Sequence, residues 1–181
     1  GQIYVFTRNG NTWPQQSVFS AYDSDPLDFF GISVAISGDT VVAGAYRDDD
    51  GGMDSGSAYV FTRRDGTWLH QTKLIAEDAD PEDFFGYSVA ISGNALVIGA
   101  YADDEGGDDA GSAYIFIRNG DVWSQQAKLI ANDAANGDWF GYSVAISGDS
   151  VVVGSHTDDD GGMDSGSAYV FTRNNNTWPE I

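Results

Sequence analysis

One block of sequence returns three times at a fixed step of 55 residues. Phe30-Gly31 recurs as Phe85-Gly86 and Phe140-Gly141, and Gly44-Ala45-Tyr46 as Gly99-Ala100-Tyr101 and then Gly154-Ser155-His156. Trp13, Trp68, Trp123 and Trp178 keep the same step, and residues 48–63 are identical to residues 158–173. A constant step without insertions marks stacked supersecondary units, each too small to bury its own apolar face. It also governs how function is read. A catalytic residue is normally unique, whereas a feature present in every unit is either architecture or a repeated binding site.

Each unit carries four strand-like segments. Gly86 to Ser92 alternates polar and apolar residues, and Ala95 to Tyr101 is a continuous apolar run suited to a strand buried on both faces. Gly111 to Arg118 is aromatic and β-branched, and Val122 to Ala131 follows Trp123 into Lys128-Leu129. Tight connections at Ser37-Gly38-Asp39, Ser92-Gly93-Asn94 and Ser147-Gly148-Asp149 join the first two strands. Asn9-Gly10, Asp65-Gly66 and Asn119-Gly120 join the last two. Asn-Gly and Asp-Gly tolerate the positive φ that two-residue hairpins require. Four antiparallel strands per unit, in tandem, predict an all-β chain of β-propeller blades.

Phe-Gly opening the first strand and Gly-Ala closing the second resemble the FG-GAP repeat, the blade unit of integrin-α-type propellers and of many bacterial secreted proteins. The resemblance covers nearly the whole chain and implies an extracellular or cell-surface module. It departs from the family in one respect. The integrin-type calcium loop lies between the Phe-Gly and Gly-Ala-Pro motifs, where this chain has only a short turn, so those ligands do not carry over. Tyr46, Tyr101 and His156 stand in place of the proline.

Charge is distributed by topology. The chain has 28 acidic residues against 8 Lys plus Arg, for a net charge of −20. Nucleic acid and anionic membrane surfaces would be repelled, and cations are the natural partners. Antiparallel order puts the loop between the second and third strands on the same end as the inter-blade links. All acidic residues except Asp39, Asp65, Asp121, Asp149 and Glu180 lie in these segments. Oxygen ligands on glycine-rich loops suit Ca²⁺. The pattern Asp48-x-Asp50-Gly-Gly-x-Asp54 makes Asp48, Asp50 and Asp54 candidate calcium ligands, as are Asp103, Glu105 and Asp109, and Asp158, Asp160 and Asp164. The alternative is a solvated acidic turn. No cysteine is present, and no apolar run approaches the ~20 residues of a membrane helix.

Catalytic signatures are weak. Gly86-Tyr-Ser88-Val-Ala90 lacks the last glycine of a nucleophile elbow, and its serine recurs as Ser33 and Ser143. His70 aligns with Gln15 and Gln125, and His156 with Tyr46 and Tyr101, so neither is a repeated base. The phenylalanines before the first strand are expected to pack between blades and the tryptophans on the outer strand. Asn175-Asn176-Thr177 fits an N-glycosylation acceptor.

The units divide as a half-blade at 1–20 and blades at 31–76, 86–131 and 141–181. Closed propellers take about 4–8 blades, so this array is expected not to close on itself. Adjacent repeats of a longer chain, or other copies of itself, are the expected partners, the second giving a filament. A non-catalytic structural or adhesive role is expected: the near-identical repeats favour multivalent or polymeric use, and the adhesive part, with a cell-surface protein or glycan as partner, is what the family resemblance implies. The alternative is a fragment of a carbohydrate-active or phosphatase-like propeller enzyme.

Overall fold

Short alternating segments joined by tight turns have only one way to satisfy their backbone, which is to pair with the segment before and after them. The computed structural model describes residues 1–181 and has thirteen strands and no α-helix. A two-stranded sheet, β1 (Ile3–Phe6) and β2 (Gln15–Phe19), is followed by a four-stranded sheet. This comprises β3 (Val34–Ser37), β4 (Thr40–Ala45), β5 (Ser57–Arg64) and β6 (Thr67–Leu74). The next sheet repeats the order with β7 (Ser88–Ser92), β8 (Ala95–Ala100), β9 (Ser112–Asn119) and β10 (Val122–Leu129). The last has β11 (Ser143–Ser147), β12 (Ser150–Ser155) and β13 (Ser167–Thr172). All sheet pairs are antiparallel, with strands in sequence order. In the last unit a fourth strand is present only as isolated bridges, Asn174 with Thr177 and Phe171 with Glu180.

The sheets are open blades, not a closed barrel, and they stack face to face. β3, β7 and β11 line up along the inner edge. Val89 N donates to Ser33 Oγ and Gly93 N to Ser37 Oγ, each at 3.1 Å, and Gly148 N donates to Ser92 Oγ at 3.1 Å. Here the Phe-Gly and Gly-Ala motifs find their physical reason. A Cβ on Gly44 would overlap the Gly86 carbonyl oxygen, and one on Gly99 would overlap that of Gly141. Only glycine lets the second strand of one blade pass this close to the Phe-Gly turn of the next. The phenylalanine of that turn fills the space beside it: Phe85 and Phe140 are fully buried.

Three apolar clusters form, one at each junction between sheets. The first joins Ile3, Val5 and Ala21 to Phe30, Val41, Tyr59, Phe61 and Trp68. The second joins Val42, Val60 and Leu74 to Phe85, Leu96, Tyr114, Phe116 and Trp123. The third joins Val97, Ile115 and Leu129 to Phe140, Val151, Tyr169, Phe171 and Trp178. Each side chain sealed here contributes roughly 1.5–3 kcal/mol relative to exposure, so the junction, and not the single blade, is the stabilising unit.

The outer strand adds a latch to two of these junctions. The β1–β2, β5–β6 and β9–β10 ladders each slip by one residue, leaving Gln16, Gln71 and Gln126 as bulges. A bulge re-aims its side chain. Trp68 Nε1 donates to Gln16 Oε1 at 3.2 Å, and Trp178 Nε1 to Gln126 Oε1 at 3.0 Å. In the middle junction Gln71 instead donates to the Asp121 carbonyl at 2.8 Å, and the buried Trp123 Nε1 has no partner.

Candidate functional site: the acidic face

The loops between β4 and β5, β8 and β9, and β12 and β13 share one construction. Asp48, Asp103 and Asp158 are buried, and each accepts from the backbone two residues on: Asp50 N, Glu105 N and Asp160 N, at 3.2, 3.0 and 3.1 Å. A tyrosine from the third strand of the same blade meets the other carboxylate oxygen. Tyr59 Oη lies 2.8 Å from Asp48, Tyr114 Oη 2.7 Å from Asp103 and Tyr169 Oη 2.6 Å from Asp158. Serine hydroxyls complete two of the sites, Ser112 on Asp103 and Ser167 on Asp158, both at 2.9 Å.

A lysine on the outer strand turns two of these loops into internal ion clusters. Lys73 Nζ sits 2.8 Å from Asp48, 3.1 Å from Asp23 and 2.5 Å from Asp50. Lys128 Nζ sits 2.8 Å from Asp103, 2.7 Å from Asp78 and 2.9 Å from Glu105. Burial opposes charge on both lysines, but the surrounding carboxylates outweigh it and raise both ammonium pKa values. Burial likewise opposes ionisation of Asp23 and Asp78. Hydrogen bonds from Tyr59 and Lys73 to the former, and from Lys128 to the latter, hold both below the usual carboxylate range. Burial, with neighbouring carboxylates, pushes the Tyr59 and Tyr114 phenols well up, so both remain donors.

The nine candidate ligands therefore separate. Asp48 and Asp50 meet on one ammonium, and Asp103 and Glu105 on another. Asp54, Asp109 and Asp164 do not join them. These three adopt φ of 55°, 52° and 49°, and their amides donate to Asp49, Asp104 and Asp159 at 2.7, 2.9 and 2.6 Å. Their task is to turn the chain through the left-handed region that Asp tolerates. Asp54 also faces Arg47, at 3.7 Å. In the third loop Asp158 and Asp160 stand beside Asp133 with no ammonium of this sequence among them. The hydrogen bond and charge of Asp133 raise the Asp160 carboxyl. No group of three or more acidic or imidazole side chains is arranged to hold a metal ion. Calcium in the first two loops would have to displace Lys73 or Lys128.

The inter-blade links supply a second set of acids. Asp28, Asp83 and Asp138 are buried and accept from Asp25 N, Asp80 N and Ala135 N at 2.6, 2.8 and 2.7 Å. They close the turn that delivers Phe-Gly to the junction. Burial raises all three, Asp83 to about 7, against the opposing hydrogen bond from Asp80 N. Asp83 also borders a polar hollow of about 240 Å³ lined by Asp78, Asp80, Asp103, Asp104, Glu105 and Lys128.

Beside the acids runs an aromatic arc. Tyr46, Tyr87, Tyr101 and Tyr142 contact one another and the flanking Phe29, Phe84 and Trp139 with centroids 4.7–6.2 Å apart. Arg47 lies over Phe29, Tyr46 and Phe84 at 5.5–5.9 Å. His156 packs on Tyr142 at 4.2 Å, and His70 sits against Tyr22 at 4.7 Å. Both histidines are framework contacts at positions held by other residues in neighbouring units. At the opposite end, Arg63, Arg118 and Arg173 cover Trp68, Trp123 and Trp178 at 5.4–5.9 Å, and those tryptophans are buried. Sequence reasoning missed the tyrosine and lysine that complete the acidic loops. Their signal was the repetition itself, Tyr59 with Tyr114 and Tyr169, and Lys73 with Lys128.

The model of the FG-GAP repeat matches residues 13–61, 68–116 and 123–171. The chain belongs to the FG-GAP repeat family. Each matched FG-GAP segment starts at the tryptophan on or just before an outer strand and ends on the third strand of the next blade, so the family's sequence unit spans the junction described above. No curated protein sequence matches the chain. No helix is long and apolar enough to cross a membrane.

Proposed function

We propose that this chain is a non-catalytic structural and adhesive module of the extracellular space or cell surface, acting as one stretch of a longer array or filament of blades. FG-GAP repeats are common in extracellular proteins and the family is typically non-enzymatic. The observation that carries the reading is the state of the two ends. At the interior junctions the apolar faces are sealed, while Tyr4, Phe6 and Trp13 at one end and Val152 at the other stand exposed. Contacts of this kind are heterologous and propagate head to tail.

The buried acids support a scaffold over a catalyst. Those with raised affinity for protons recur in each unit and are tied into turns, as Asp28, Asp83 and Asp138 are. An active site would instead need a unique group beside a substrate cleft. Adhesion then falls to the acidic face, whose partners are cationic patches on cell-surface proteins or glycan-bound cations. In the first two loops the chain supplies its own ammonium groups. The third loop, with Asp133, Asp158 and Asp160, has no such ammonium, and calcium from solution would first have to draw these side chains together.

Sedimentation velocity with electron microscopy over a concentration series tests this reading. Mass should grow with concentration and particles should lengthen end to end. A single 19.3 kDa species at every concentration overturns it. A screen against glycosides and phosphate esters should show no turnover.

A further inference from the structure

The repeat brings two phenol hydroxyls together at one place. Tyr87 stands just ahead of β7 and Tyr142 just ahead of β11, each directly after a Phe-Gly turn. Gly86 and Gly141 share a φ of 91°. Tyr87 N donates to the Phe84 carbonyl and Tyr142 N to that of Trp139, both at 3.2 Å. Matching turns in stacked blades aim the two rings the same way. Tyr87 Oη donates to Tyr142 Oη at 2.8 Å, while the ring centroids lie 4.8 Å apart with a tilt of 45°. The rings therefore converge toward their hydroxyl ends. The first blade has Ile32 at this position, so no second pair forms.

The other tyrosines are disposed differently. Tyr46 and Tyr101 meet Tyr87 edge-on, at interplanar angles of 89° and 71°, and Tyr101 meets Tyr142 at 64°. None of these contacts joins two hydroxyls. Tyr59, Tyr114 and Tyr169 donate instead to Asp48, Asp103 and Asp158. Tyr4 and Tyr22 stand in solvent, 53% and 69% exposed. The converging pair is also held in place. Tyr101 packs against both rings, at 4.7 and 5.6 Å, and Trp139 and His156 pack on Tyr142 at 6.2 and 4.2 Å. Both rings are half-buried, open enough to lose an electron and fixed enough to stay in contact. Burial, with the hydrogen bond and charge of Tyr142, raises the Tyr87 phenol, so its electron and proton leave together.

We infer that Tyr87 and Tyr142 form a site of oxidative cross-linking, where a peroxide-dependent one-electron oxidant, such as a haem peroxidase, joins them as a dityrosine that staples the middle blade to the last. Each phenol gives up one electron and one proton and becomes a neutral phenoxyl radical. The unpaired electron is shared between the oxygen and the ring carbons ortho and para to it. The para carbon bears the side chain, so coupling falls to the ortho carbons, which flank the hydroxyls where the rings meet. One carbon–carbon bond forms. The hydrogen on each joined carbon then leaves as a proton and a proton returns to each oxygen, which restores both phenols. The chain loses two hydrogen atoms, and one hydrogen peroxide is reduced to two waters. Contact in the folded state turns a rare encounter into an intramolecular step. The new bond closes a loop from Tyr87 to Tyr142, which restricts the unfolded chain and so favours the folded one. The inference stands apart from any assembly of blades into a filament.

The test treats the dilute, purified chain with hydrogen peroxide and a haem peroxidase. The expected product has the mass of one chain less two hydrogen atoms and shows the blue fluorescence of dityrosine. Trypsin should release residues 74–118 joined to residues 129–173, with fragmentation placing the bond between Tyr87 and Tyr142. Tyr142→Phe should lower the yield of this product about tenfold or more. Tyr101→Phe, which keeps the packing ring, should leave it unchanged. The coupled chain should melt at a higher temperature than the untreated one, and treated Tyr142→Phe should not. Unfolding the chain in denaturant before treatment should abolish the Tyr87–Tyr142 product, because proximity comes from the stacked blades. Equal yield from the folded and unfolded chain overturns the inference. Coupling confined to Tyr4 and Tyr22 between molecules does so as well, as does the absence of any intramolecular product.

Discussion

Tyr4, Phe6 and Trp13 of the first sheet and Tyr114, Phe116 and Trp123 of the middle blade occupy the same places in the repeat, yet their surroundings are opposite. Tyr4 and Phe6 are 53% and 52% exposed, while Tyr114 is fully buried and Phe116 nearly so. The third blade shows the same at its other face, where Val152 is 41% exposed and its counterparts Val42 and Val97 are sealed. Burial in a repeat protein is thus a property of having a neighbour on each side. A blade's sequence specifies two sticky faces, and stacking decides which of them leave water.

The sharpest way to break this comparison is to truncate one side chain at two places. Phe116→Ala should destabilise the chain by about 3–5 kcal/mol through cavity formation. Phe6→Ala should cost below about 1 kcal/mol, as at other exposed positions. Equal losses in chemical denaturation would show that the ends are as well packed as the middle.

Next in size comes the ion cluster of the middle blade. Lys128→Met leaves Asp103 and Asp78 facing each other without their ammonium, a loss of about 2–4 kcal/mol, somewhat under the figure for a fully buried pair because the site is partly wet. The loss should shrink as pH falls and the stranded carboxylates protonate, and a pH series of denaturation midpoints reads this directly. A calcium titration of the same variant, followed by calorimetry, should show binding heat at that loop that the parent lacks.

The raised carboxyl of Asp83 gives an opposite pH signature. Its folded value, about 7, lies above its ordinary value of 3.8, so the folded state holds the proton more tightly. Its contribution to stability is full below about pH 4 and is lost as pH rises through 7. Asp23, Asp78 and Asp158 are held low, and their contribution is lost instead as pH falls through their depressed values. Stability should therefore peak in the mildly acidic range, and Asp83→Asn should flatten the decline between pH 5 and 8. The smallest expected effect concerns the latches. Trp68→Phe and Trp178→Phe each remove an indole hydrogen bond and should cost about 1 kcal/mol more than Trp123→Phe, whose nitrogen is already unpartnered.

Strand order and hairpins were legible because turn chemistry and alternation are local: Asp65 and Gly66 both adopt positive φ, as the two-residue turn demands. The roles of Phe-Gly and Gly-Ala became clear only in three dimensions, since Gly44 and Gly86 meet across 42 residues of chain. The acidic loops divide the same way. Clustering of acids on one end follows from antiparallel order alone. The partners of Asp48 and Asp103 do not, because Tyr59 and Lys73, or Tyr114 and Lys128, lie on other strands and reach the loop through the sheet. The alternate spacing of Asp48, Asp50 and Asp54 suggested convergence, and the backbone instead turns at Asp54 and carries it away toward Arg47. A bulge at Gln71 or Gln126 leaves no mark in the sequence, because between the buried Trp68 and Leu74, or Trp123 and Leu129, the outer strand is exposed or half-buried without a break.

Strand-resolved hydrogen exchange on the dilute monomer tests the stacked-junction account most directly. Protection should be greatest in β7–β10, lower in β11–β13 and least in β1–β2, and β1 should gain protection as concentration rises. A β1 as slow to exchange as β9, in a sample that remains a 19.3 kDa monomer, would contradict it.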